Sequence, residues 1–163
     1  MVIRWITPAD DRLEISRIYE QSWKYAYAGV IPQAYLDSIP EGRWAEHLDD
    51  ANRHTLLCFD DGKMIGTSSF SASRFAQFAG WGEIISVYLL PDAMRKGYGT
   101  ALLKAAIDEL KKRGYRDVFL WVLEENLRAR SFYEKLGFSP TGDYLDDTIG
   151  GKDLREIRYI LKT

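Results

Sequence analysis

One turn constrains the fold of this chain more than any other feature, because Gly97 and Gly99 lie directly before an amphipathic helix. The strand-like stretch GEIISVYLL (residues 82–90) precedes the turn, and apolar residues recur at helical spacing in ALLKAAIDEL (residues 101–110). Since glycine carries no side chain, the backbone amides of such a turn can approach an anion at the positive end of the helix dipole. This order of elements predicts a phosphate site at the start of the helix.

Two familiar phosphate-binding motifs do not fit the turn. The dinucleotide fingerprint requires a third glycine three residues after the second one, where this chain has Leu102. The P-loop closes on Gly-Lys-Ser/Thr, whereas Thr100 follows Gly99 directly. Two interpretations remain: the segment from Arg95 to Thr100 binds an anion through its backbone, or its glycines only make a tight turn.

The first half of the chain predicts a short strand, three helices and a hairpin. Residues 2–6 alternate like a strand, and Asp10 is expected to cap a helix that runs through residue 28. Two shorter helices are predicted to begin at Pro32 and Pro40. The strand-like segments HTLLCF and KMIGTSSF flank Asp60-Asp61-Gly62, which is a typical hairpin turn.

The second half alternates strands with helices. The apolar run VFLWVL (residues 118–123) predicts a strand buried on both faces, and Asn126 is a suitable cap for the helix that follows. Two strands, around residues 141–145 and 154–161, complete the chain. The element order predicts one α/β domain over residues 1–163, with helices around a mixed sheet of the α+β kind.

Composition excludes several classes of function. The formal net charge is -2, so no overall charge attracts nucleic acid or an anionic membrane. Cys58 is the only cysteine, which leaves no internal disulfide and suggests a small buried residue in a strand. His47 and His54 share no metal-ligand spacing with Cys58, so neither a metal site nor a cysteine–histidine nucleophile is expected.

Targeting signals are also not apparent. The segment ITPADDR places acidic residues where a signal peptide carries its apolar stretch. No segment approaches the ~20 apolar residues of a membrane span. The chain is therefore expected to be cytoplasmic and to bind neither nucleic acid nor a membrane.

The glycine turn and the segments around it resemble a known family. GEIISVYLLPDAMRKGYGTALLKAAIDELKKRGY followed by LWVLEENLRARSFYEKLGF is similar to the acetyl-CoA-binding half of the GCN5-related N-acetyltransferases, the GNAT family. The similarity extends from about Gly82 to Phe138. It implies a GNAT-type fold and the transfer of an acetyl group from acetyl-CoA to the primary amine of a small molecule or peptide. Dimers are common in the family, so a homodimer is left open.

The resemblance also implies a set of coenzyme-binding residues. In the family the strand before the turn pairs with the pantetheine arm, the turn holds the pyrophosphate and an asparagine contacts the coenzyme. The matching residues here are Val87, Tyr88, Leu89, Arg95, Lys96, Gly97, Tyr98, Gly99, Thr100 and Asn126. One departure is Met94, which stands where the family usually has arginine or glutamine, with Arg95 displaced by one position.

Two residues match catalytic positions of the family. Glu83 lies at the start of the strand in which family members often carry a glutamate that acts as a base, and the alternative is a solvated strand-end carboxylate. Tyr133 matches a tyrosine near the coenzyme sulfur that can protonate the leaving thiolate, and the alternative is a core aromatic residue. A non-catalytic module that binds coenzyme A as a regulatory ligand would need neither residue.

The amine acceptor is not specified by these motifs. Aromatic residues of the first helices and the acidic loop YLDDTIGGKD (residues 144–153) are expected to meet at the acceptor site, and they are Trp23, Tyr25, Tyr27, Tyr35, Asp146 and Asp147. The two aspartates either hold a cationic amine or belong to a solvated loop. Small amines, amino acids, antibiotics and protein N-termini all remain open as acceptors.

Overall fold

The computed structural model describes residues 1–162, and its central feature is a seven-stranded sheet in the order β1-β2-β3-β4-β5-β7-β6. The predicted element order is confirmed. The strands are β1 (Val2–Trp5), β2 (His54–Asp60), β3 (Lys63–Ala72), β4 (Gly82–Leu89), β5 (Val118–Leu123), β6 (Ser139–Ile149) and β7 (Lys152–Leu161). The helices are α1 (Arg12–Ala26), α2 (Gln33–Asp37), α3 (Tyr98–Lys112) and α4 (Leu127–Lys135).

Two details of the first segment differ from the prediction. The helix that was predicted to start at Pro40 is a turn followed by a short 3₁₀ helix over Ala45–Asp49, because Gly42 adopts a positive φ within the segment. The cap of α1 is Asp11 rather than Asp10, and its side chain accepts a hydrogen bond from the amide of Leu13. Asp10 instead binds the guanidinium of Arg4 through both carboxylate oxygens.

The helices cover both faces of the sheet. Tyr19 of α1 hydrogen-bonds Ser69 of β3, whereas Leu102 of α3 lies against Gly66 of the same strand. Since successive strand residues point to opposite faces, α1 and α3 lie on opposite sides of the sheet. Cys58 is fully buried in the main core, as its sequence context predicts. Among residues 1–162, no helix is both long and apolar enough to cross a membrane.

The sheet opens between β4 and β5. These two parallel strands pair only from Gly82 to Ile84 with Val118 to Leu120. Beyond that point β4 continues along β3, while β5 continues along β7. A bulge in β4, at Ile85, coincides with the point of separation, and bulges bend the strand that carries them. The result is a wedge-shaped gap in the middle of the sheet.

Candidate active site

A cleft of about 640 Å³ occupies the gap between the separating strands. Its walls come from β4 after the bulge, from the end of β5, and from residues of α1, α4 and the glycine turn. The glycine turn lines the cleft together with the start of α4, and Glu156 of β7 and Ile149 of β6 line it from the strands beyond β5. The cleft therefore joins the predicted phosphate site to the region in which the acceptor was expected.

The glycine turn has the backbone conformation that an anion site needs. Gly97 precedes the first residue of α3 and has a φ of 87°, and no side chain caps the helix there. The amides of the first helical turn therefore lack intrahelical partners. Arg95, also at a positive φ of 62°, lines the cleft together with Gly97, Gly99 and Thr100. A Cβ atom at Gly99 would make only ordinary van der Waals contacts, 3.4 Å from Leu89 and 3.5 Å from Phe132 of α4, so packing within the protein does not by itself require a glycine there.

Two residues of the turn direct their side chains elsewhere. The hydroxyl of Tyr98 donates a hydrogen bond to Asp60 in the β2–β3 hairpin. The side chain of Lys96 is exposed, and neither residue is among those that line the cleft. The predicted contribution of Lys96 and Tyr98 to an anion site therefore rests on their backbone amides and not on their side chains.

The strand β4 presents a free backbone edge to the cleft. Val87, Tyr88 and Leu89 pair with β3 on one side, whereas the pairing with β5 has already ended at Ile84. An extended ligand can hydrogen-bond such an edge in the manner of an added strand. This geometry suits the pantetheine role that the family resemblance implies for these three residues.

Asn126 and Arg128 lie where α4 begins, beside the glycine turn. The side chain of Asn126 accepts a hydrogen bond from the amide of Ala129 at 3.2 Å, so it is a helix cap that also lines the cleft. Arg128 was not identified from the sequence. Its guanidinium donates to the sulfur of Met94 at 3.1 Å and stacks over the ring of Tyr25 at 5.0 Å. A positive charge thus stands beside the position where the family pattern expects one.

Three tyrosines from different elements line the cleft. Tyr133 lines it from α4, Tyr27 from the end of α1, and Tyr88 from β4, where its hydroxyl accepts a hydrogen bond from the indole of Trp23. Burial, and secondarily the proximity of Tyr27, raises the pKa of Tyr133 well above that of a free phenol. Burial, assisted by the carboxylate of Glu156, raises the pKa of Tyr27 to about 12. These phenols are therefore hydrogen-bond donors at neutral pH.

Glu83 is buried and firmly paired outside the cleft lining. One carboxylate oxygen accepts the backbone amide of Arg74 at 3.0 Å, and the other accepts the Arg74 guanidinium at 2.7 Å. The side chain is 1% exposed, and Glu83 is not among the residues that line the cleft. The alternative of a solvated strand-end carboxylate is wrong, because this side chain is buried. The role of Glu83 as a base stays a prediction, and the ion pair with Arg74 argues against it.

Glu156 is an acidic residue of the cleft that the sequence analysis missed. It pairs with Leu123 across the β5–β7 ladder and lines the cleft with Trp121 and Tyr27. Burial, and then the charge of Asp147, raises the pKa of its carboxyl group, while Arg74 acts in the opposite direction. A signal was present in the sequence. Leu154 is an apolar residue that is buried in the structure, and Glu156, two residues later in the same strand, therefore shares its inward face.

The residues predicted to surround the acceptor are only partly brought together. Trp23 and Tyr27 line the cleft. Tyr25 does not line it but contacts Arg128, which does, and Tyr35 packs against the β6–β7 turn at Gly150. Asp146 and Asp147 line a second cavity of about 1050 Å³ beside the first, together with Glu124, Glu125, Thr148, Lys152, Asp153, Leu154 and Arg155.

Comparisons with known proteins agree with the fold and the site. The family described as acetyltransferase (GNAT) matches residues 14–138. An uncharacterised N-acetyltransferase of Bacillus subtilis, YuaI, is 29% identical over 151 residues, which cover 91% of this chain and 86% of the relative. Spermidine N(1)-acetyltransferase of Thermoplasma acidophilum is 27% identical over 159 residues, which cover 92% of each protein.

A solved structure extends the similarity to the whole fold. The PaiA N-acetyltransferase of Thermoplasma acidophilum, crystallised in complex with coenzyme A, superposes with a TM-score of 0.76. The superposition covers 100% of both chains at 25% sequence identity. The resemblance seen in the sequence and the predicted fold class are confirmed, as is acetyl-CoA-dependent N-acetyl transfer. This chain belongs to the acetyltransferase (GNAT) family.

Proposed function

We propose that this N-acetyltransferase uses acetyl-CoA to acetylate a small cationic primary amine, and that the cleft holds coenzyme and amine at opposite ends. The observation that carries the proposal is the distribution of charge along the cleft. Its basic residues, Arg95, Arg128 and Lys135, belong to the turn and α4, whereas its acidic residue, Glu156, belongs to β7. The basic part suits the polyanionic coenzyme and the acidic part suits an ammonium group.

The coenzyme end combines backbone and side-chain groups. The amides of the turn from Arg95 to Thr100 hold the pyrophosphate, and the free edge of β4 from Val87 to Leu89 holds the pantetheine arm. Asn126 contacts the coenzyme from the cap of α4. Because the guanidinium of Arg128 lies at Met94, it supplies the phosphate contact that a family arginine or glutamine at that position would make.

The acceptor end favours a cation over a neutral or acidic molecule. Trp23, Tyr27 and Trp121 offer aromatic surface for an alkyl chain or ammonium group. The neighbouring cavity adds five carboxylates against one lysine and one arginine. Spermidine acetyltransferase among the relatives supports a polyamine or a similar alkyl amine as the acceptor.

The transfer needs no nucleophile from the protein, since the amine can attack the activated thioester directly. The residues of the cleft orient the reactants, a backbone amide of β4 polarises the thioester carbonyl, and Tyr133 donates its proton to the departing sulfur. The alternative of a regulatory coenzyme A-binding module explains neither an acceptor end nor a buried phenol in the cleft.

An acceptor panel tests the proposed substrate class. Thiol release from acetyl-CoA is measured with spermidine, propane-1,3-diamine, neutral amino acids and a peptide with a free N-terminus. We expect the two alkyl amines to give the highest kcat/KM. A control reaction without acceptor measures the hydrolysis of acetyl-CoA, which is subtracted. A clear preference for the amino acids or the peptide would refute the cationic-amine assignment.

The role of Arg128 leads to a separate prediction. Arg128→Ala is expected to weaken coenzyme A binding severalfold, because one charge–phosphate contact is lost. In an Arg128→Ala chain, Met94→Arg should restore much of the affinity, since it returns the charge to the family position. Calorimetric titration with coenzyme A measures both effects. Arg130→Ala is the matched control, because Arg130 is on the same helix but hydrogen-bonds Tyr159 instead. Equal losses in the two single variants would contradict the assignment.

A further inference from the structure

Glu156 lines the candidate cleft, and among the described residues its carboxylate has no partner of its own. It lies in an aromatic part of the cleft, and among residues 1–162 it has neither a hydrogen bond nor an ion pair. Glu83, on the same side of the sheet, has its two oxygens occupied by Arg74. A half-buried carboxylate without a partner costs free energy, and a cation that enters the cleft removes this cost.

Arg74 connects the two glutamates. Its guanidinium binds Glu83, and it is also close enough to Glu156 to lower the pKa of that carboxyl group. If Arg74 were not held by Glu83, it would be the natural ion-pair partner of Glu156. The Arg74–Glu83 pair thus leaves Glu156 open towards the cleft.

We propose that Glu156 binds the ammonium group of the acceptor and takes its proton, and that Glu83 is a positioning residue that holds Arg74 away from Glu156. The proposal rests on the proposed function, because it assumes that a cationic amine enters this cleft. It assigns the base to β7, at the acceptor end, rather than to the start of β4.

The step balances in protons and electrons. Glu156 removes one proton from the ammonium group and later releases it to solvent. The freed nitrogen lone pair forms the C–N bond to the acetyl carbon, and the electron pair of the C–S bond leaves with the sulfur. Tyr133 gives that sulfur its hydroxyl proton, and a second proton from the nitrogen restores the phenol. One amide, one thiol and one solvent proton result.

The surroundings of Glu156 suit this role. The groups that face it are Tyr27 at the end of α1, Arg74 in the β3–β4 loop and Asp147 on β6. Burial and the charge of Asp147 raise the pKa of Glu156, which makes its carboxylate a stronger base than an exposed one. The activity should therefore fall as the pH drops through the pKa of Glu156, because the protonated acid can no longer accept a proton.

Glu156→Gln tests the proposal directly. We expect about tenfold weaker spermidine binding in calorimetry, unchanged coenzyme A binding, and a kcat/KM profile that has lost its acidic limb. Glu156→Asp should recover part of the spermidine affinity and part of the acidic limb. Glu46→Gln is the matched control, because Glu46 is exposed and does not line the cleft. Wild-type spermidine affinity in Glu156→Gln would overturn the proposal, whether or not thiol release is detected. If no amine of the acceptor panel is acetylated but Glu156→Gln still weakens spermidine binding, the proposed function is refuted while the ammonium site at Glu156 is supported.

Glu83→Gln separates the two glutamates. If Glu83 only holds Arg74, this variant frees the guanidinium, brings the raised pKa of Glu156 down and moves the acidic limb to lower pH. Glu83→Gln combined with Arg74→Gln should move that limb above its wild-type position, because the charge that lowers the pKa of Glu156 is gone. If Glu83 is itself the base, both variants lose the limb altogether, which overturns the proposal. Melting curves identify any variant that does not fold.

Discussion

Tyr133→Phe is expected to lower kcat by roughly 10²-fold or less, with little change in coenzyme A affinity or melting temperature. Tyr133 lines the cleft, and burial raises the pKa of its phenol, which therefore remains protonated at neutral pH and can donate to the leaving sulfur. A thiolate, whose conjugate thiol has a pKa near ~8.5 in water, is already a fair leaving group without help. This limits the expected fall in kcat.

The ring of Tyr133 contacts Phe132 and Phe138, and phenylalanine preserves those contacts. Tyr115→Phe is the matched control, because it removes a hydroxyl from a residue that does not line the cleft. Steady-state kinetics and thermal unfolding decide whether Tyr133 is a proton donor or a core aromatic residue. A large loss of stability with a normal kcat would assign Tyr133 to the core rather than to the chemistry.

Gly97→Val is expected to weaken coenzyme A binding by at least tenfold, about 1.4 kcal/mol. Gly97 has a φ of 87°, which a β-branched residue adopts only with strain, so the turn must shift and its amides no longer converge. A Cβ atom at this position would meet no atom within 4 Å. The expected loss therefore comes from the backbone conformation and not from a steric clash within the protein.

Gly114→Val provides a control with the same kind of strain. Gly114 follows the other end of α3 at a φ of 92°, and a Cβ atom there would also lie in open space. Both variants should lose stability in urea unfolding, but only Gly97→Val should lose affinity in calorimetry. Unchanged affinity in a folded Gly97→Val variant would show that the turn does not bind the coenzyme.

The sequence by itself determined those parts of the site that depend on local structure. The glycine turn, the start of α3 and the cap at Asn126 are set by residues close together in the chain, so glycine placement, periodicity and capping predict them. The family resemblance added the activity and the coenzyme. It also placed Tyr133, whose side chain the structure brings into the cleft.

Only the tertiary structure decided which charged groups face the ligands. Glu83 and Glu156 are both strand carboxylates in the sequence, but one is paired with Arg74 and the other faces the cleft. Arg128 reaches Met94 across 34 residues of chain. These outcomes depend on the register of β5 with β7, on the early separation of β4 from β5 and on how the β3–β4 loop folds back. Such long-range contacts leave no local pattern, because side-chain charge is placed by packing between segments and not by the propensity of either segment.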